Sequence, residues 1–129
     1  MQEKKKVSSS SAVNAVGTYS LGEEIANAVT HGLAVLLSIA GLVLMIIFAV
    51  RQSAGALAIV STSIFGASMI ILYTVSTLYH AIPNLRAKRV LQVLDHSAIY
   101  ILIAGSYTPF CLITLGGTTG IVLCSVVWT

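Results

Sequence analysis

Charge is what this sequence has least of. Only 9% of its 129 residues are charged, where a soluble domain carries roughly a quarter, and Asp95 is the one acidic residue after Glu24. With 57% hydrophobic residues, such a chain cannot clothe itself in the charged surface that keeps a domain in water. An ordinary soluble protein is excluded. Cysteine is scarce as well: Cys111 and Cys124 both fall in apolar runs, where a thiol acts as a small hydrophobe and no disulfide framework is expected. The first apolar run is not expected to be a cleavable leader, because about thirty residues precede it and no small-residue cleavage pattern follows it. That run is expected to stay in the mature chain.

What the sequence does have is long apolar runs. Residues 32–50, 53–79 and 97 to the end contain no Asp, Glu, Lys or Arg, and each reaches or exceeds the roughly 20 residues needed to cross a bilayer's hydrocarbon core. The expected fold is all-α, a multi-pass transmembrane helical bundle. Residues 1–18, with Lys4, Lys5, Lys6 and the serines 8–11, bury too little to order themselves and read as a disordered cytoplasmic tail.

The rest, 19–129, reads as one transmembrane domain. Ser20-Leu21-Gly22-Glu23 has the form of a capping box that starts a helix. An amphipathic interfacial helix over 20–31 leads into a first span at about 32–50. Arg51 and a short turn precede a second span at about 56–80. Pro83-Asn84 with Arg86, Lys88 and Arg89 reads as a polar connection, and a third span follows at about 95–115. After the glycine-rich turn 116–120, residues 121–129 supply part of a fourth span, since nine helical residues rise only about 14 Å. Three complete spans and part of a fourth are expected, in a piece of a longer protein.

Orientation follows from the bias of Lys and Arg near span ends. The tail carries Lys4, Lys5 and Lys6 and the second connection Arg86, Lys88 and Arg89, whereas the connection between them carries only Arg51. The N-terminus is therefore expected in the cytoplasm. Alternating spans then bring His31, His80, Asp95 and His96 to one cytoplasmic boundary, although 65 residues separate the first from the last. Ionisable groups at that depth form a site hypothesis.

Imidazole is the commonest zinc ligand, and hydroxyl and carboxylate groups commonly orient such ligands. His80 is the candidate ligand. Ser76, one turn deeper, is the candidate supporting hydroxyl, and Asp95 the candidate group for holding and activating a water. Glu23, Asn27 and His31 repeat at four-residue spacing as a polar stripe; these three and His96, one turn from Tyr100, are candidate polar lining. Each has a plainer reading too, the histidines resting in the headgroup layer and Asp95 complementing a helix N-terminus. Ser106-Tyr107-Thr108-Pro109 reads as a kink whose hydroxyls take up backbone groups freed by the proline.

Three blocks carry a resemblance: 23–32 (EEIANAVTHG), 76–80 (STLYH) and 94–109 (LDHSAIYILIAGSYTP). Together they resemble the bacterial haemolysin III family, of the superfamily that includes the adiponectin and progestin receptors and, more distantly, alkaline ceramidases. The resemblance implies a seven-span fold with a cytoplasmic N-terminus in a bacterial plasma membrane. It also implies a zinc ion held by the histidine of a Ser-x-x-x-His motif and by two histidines of a His-x-x-x-His motif in a last span, with an aspartate reaching the metal through water. His80, Ser76 and Asp95 occupy the matching positions, and the two late histidines have no counterpart here. The implied roles are cytolysis or membrane lipid homeostasis; a zinc-dependent hydrolase of lipid amides or esters is one alternative and a sensor of membrane composition another. Membrane lipids are the expected partners, and no nucleic acid is expected. Nothing in the spans has the repeated polar face of an aqueous pore.

Overall fold

The computed structural model describes residues 19–129, so the expected tail at 1–18 lies outside the described residues. Four α-helices follow one another: α1 (Leu21–Arg51), α2 (Gly55–Ala81), α3 (Leu85–Pro109) and α4 (Gly117–Trp128), with a π-helical segment, Phe110–Leu115, between the last two. The described residues contain no strand. Helices α1 and α2, and α3 with its π-helical continuation, are long and apolar enough to cross a membrane, and α4 is a shorter apolar helix. Their outward faces carry large aliphatic side chains such as Leu36, Leu37 and Val43, as helices surrounded by lipid require.

Local chemistry sets the helix starts. The capping box forms: Glu23 N–H donates to Ser20 Oγ at 3.3 Å and Ser20 N–H to Glu23 Oε2 at 2.7 Å. From there α1 runs without interruption, so the expected interfacial helix and first span are one continuous element. Asn84 caps α3, its Oδ1 accepting from Arg86 N–H and Ala87 N–H at 3.0 and 3.2 Å. The polar connection after α2 is therefore only Ile82–Asn84, and Arg86, Lys88 and Arg89 lie on α3.

Helix α2 lies between α1 and α3, which among the described residues do not pack on each other. Small side chains allow the close approach, as is usual where helices meet in lipid. A Cβ at Gly66 would run into the Leu42 side chain of α1, and one at Gly105 of α3 into Ser68 of α2. Buried hydroxyls are satisfied locally: Ser38, Ser61, Ser68 and Thr108 each donate to a carbonyl of their own helix.

At the kink, Thr108 donates to the Ala104 carbonyl and Ser106 to that of Ile103, both at 2.8 Å. Pro109 ends α3 and the chain widens into the π-helical segment, where such segments often adjust a helix around a proline. Gly116 and Gly117, at φ of 61° and 58°, turn the chain into α4, a conformation that costs glycine nothing. Trp128 Nε1 then donates to Thr108 Oγ1 at 3.0 Å and ties α4 to α3.

Candidate functional site

The polar side chains gather where α1 begins, α2 ends and α3 begins. Glu24 and His31 are seven residues apart on α1, two helical turns, and so share the face turned to α2; Ser76 and His80 share a face of α2 one turn apart. His80 is buried, and its Nδ1 lies 2.7 Å from Glu24 Oε2. Lys88 of α3 forms an ion pair with the other carboxylate oxygen, Oε1. The Glu24 carboxylate thus ties α2 and α3 to α1. Its side chain is 14% exposed, that of Lys88 11% and that of His80 6%, so the bonds form largely out of solvent, where each is stronger and a missing partner costs more.

Aromatic rings enclose this carboxylate–imidazole pair. Tyr19 meets His80 edge-on with centroids 5.4 Å apart, Tyr79 lies at 4.7 Å, and Lys88 Nζ sits 5.4 Å from the centre of the Tyr79 ring, within the range of a cation–π contact. His31 lies next to His80, ring centroids 5.8 Å apart, and against Tyr73 at 5.9 Å. Its Nδ1 is 2.6 Å from Ser76 Oγ. Ser76 is the exception among the buried serines, for its partner is a side chain on another helix and not a carbonyl of its own.

The residues singled out in the sequence fall into three groups. His31, Ser76 and His80 come together, with Ser76 bonded to His31. Asp95 is half-buried and makes no hydrogen bond or ion pair among the described residues. Because α3 begins at Leu85, Asp95 is the eleventh residue of the helix and not part of its first turn; the cap there is Asn84. The third group stands outside: Glu23 is exposed and committed to the cap, while His96 is exposed with its Nδ1 2.7 Å from the Gln92 carbonyl of its own helix. Asn27 is half-buried on α1 between Glu24 and His31.

Glu24 and Lys88 were not anticipated. A signal for Glu24 was present: Glu24, His31 and the buried Ser38 recur every seven residues, the repeat of a packed helix face. For Lys88 it was Asn84, a strong N-cap residue just after a proline.

The donor set matches a zinc ion in part. His80 Nε2 makes no hydrogen bond among the described residues while Nδ1 faces a carboxylate, the second-shell pairing usual for ligating histidines. Among the described residues, however, no three His, Cys, Asp or Glu side chains gather as a metal-holding group. These residues do not close a coordination sphere by themselves.

Fold and site together define a multi-pass helical membrane protein with a polar cluster at one end of its helices. Residues 19–129 match the family described as haemolysin-III related, and the chain belongs to that family. It is 54% identical over 111 residues to a hemolysin-3 homolog of Bacillus subtilis (strain 168), covering 86% of this chain and 52% of the relative. It is 49% identical over 107 residues to hemolysin-3 of Bacillus cereus, covering 83% and 48%. The chain spans about half the length of these curated relatives. No solved structure matches it.

Proposed function

We propose that this chain carries one oriented zinc ligand, His80, of a haemolysin III protein that acts on membrane lipids at the cytoplasmic face of a bacterial plasma membrane. The observation that supports this most is the Glu24–His80 pair, in which a carboxylate takes Nδ1 and leaves Nε2 without a protein partner. Further ligands would have to come from residues other than those described, as the resemblance to a His-x-x-x-His span implies. Bound there, zinc would supply Lewis-acid polarisation of a carbonyl. The chain's own contributions are then to hold His80, through Glu24, and to keep the site dry with Tyr19 and Tyr79.

Three outcomes are distinguished within this reading. Cytolysis is the activity that the names of the relatives carry. Hydrolysis of a lipid amide or ester is favoured by Asp95, a carboxylate without a partner among the described residues, which stands ready to accept a proton in an apolar helix. Sensing of membrane composition needs the zinc and no turnover. The test is metal analysis of the protein purified from membranes at its native length, with lipid amide and ester turnover measured in parallel. About one zinc per chain in the wild type and none in His80→Ala is expected. Equal zinc in both contradicts the proposal; zinc without turnover in the wild type removes the hydrolase reading and leaves the sensor.

A further inference from the structure

We infer that Glu24 is the positioning residue of this site: braced by Lys88, its carboxylate fixes His80 in the Nδ1–H tautomer and keeps Nε2 as the lone-pair nitrogen. The consequence for metal affinity rests on the proposed function; the tautomer does not.

Three observations carry the inference. First, the two carboxylate oxygens divide their work, Oε1 pairing with the Lys88 ammonium and Oε2 meeting His80 Nδ1. A carboxylate is an acceptor only, so the proton shared with the ring must stand on Nδ1. Second, the ring has little freedom to choose otherwise, being buried between Tyr19, Tyr79 and His31. Third, Glu24 has no competing local task. The helix cap is made by Ser20 and Glu23, and the residue beside it in sequence is turned to the neighbouring helices instead.

Lys88 has a separate part. It comes from a helix that does not pack on α1 and reaches the carboxylate past the Tyr79 ring. That places a fixed positive charge on the far side of Glu24 and holds the carboxylate in its bridging position. His31 is set differently, against a hydroxyl that can donate or accept, so its tautomer is not dictated in the same way.

The test is nitrogen NMR of the chain labelled with 15N-histidine and reconstituted in lipid nanodiscs, with signals assigned by His31→Gln and His96→Gln. Wild-type His80 is expected as the Nδ1–H tautomer. Glu24→Gln should move it toward the Nε2–H form and Glu24→Asp should recover part of the difference, with circular dichroism unchanged. In the native-length protein, titrated with zinc alone, Glu24→Gln should weaken affinity by about 10–100-fold. A wild-type His80 protonated on Nε2 overturns the inference without any variant having to fold. So does an unchanged tautomer in Glu24→Gln. Loss of the tautomer preference without any zinc binding in the wild type would uphold the inference and sink the metal reading instead.

Discussion

Two adjacent glutamates at the start of α1 do different work because neighbouring helix positions face about 100° apart. Glu23 closes the capping box, and Glu24 reaches α2 and α3. The four-residue spacing of Glu23, Asn27 and His31 singles out Glu23, whose carboxylate the capping box occupies, while Glu24 beside it meets His80. The serine–histidine relation was half legible. Spacing puts Ser76 and His80 on one face of α2, but only packing decides that Ser76 bonds to His31. Ser76→Ala removes this interhelical bond and should lower stability in the bilayer by about 0.6 kcal/mol, and by no more than about 1.7 kcal/mol, read from unfolding equilibria in mixed micelles. Ser63→Ala, which removes a bond within its own helix, serves as the comparison and should cost less.

At the scale of the elements, the helix count and the small-residue seams follow from composition. Apolar runs give the number of long helices, and Gly66, Ser68 and Gly105 mark where they touch. The start of α3 was less legible, because arginines and lysines after a proline read as a loop, whereas the Asn84 cap makes them the first turns of a helix. That shift puts Lys88 on a helix, from which it pairs with the same carboxylate that meets His80. Asn84→Ala should cost about 1 kcal/mol, with loss of helix signal at Arg86 and Ala87 in hydrogen exchange. Gly105→Leu should be worse. Its side chain would have to displace Ser68 at the α2–α3 seam, and overpacking of this kind costs about 1–3 kcal/mol or more; an unchanged unfolding midpoint would show that the helices do not meet there.

For the whole molecule, helices that alternate in direction collect polar groups distant in sequence at one end, and this much was readable from His31 and His80 alone. The partners that complete the cluster were not readable, because among the described residues α1 and α3 do not pack on each other and meet through the Glu24 and Lys88 side chains. Reporter fusions after Arg51 and after Pro83 should give opposite compartments, the second cytoplasmic, by the distribution of Lys and Arg. The central claim is that Glu24 joins three helices at one membrane edge, and a double-mutant cycle between Glu24→Gln and Lys88→Met, read as unfolding free energy in bilayers, tests it most directly. The account predicts a coupling of about 0.5–3 kcal/mol; effects that simply add would contradict it.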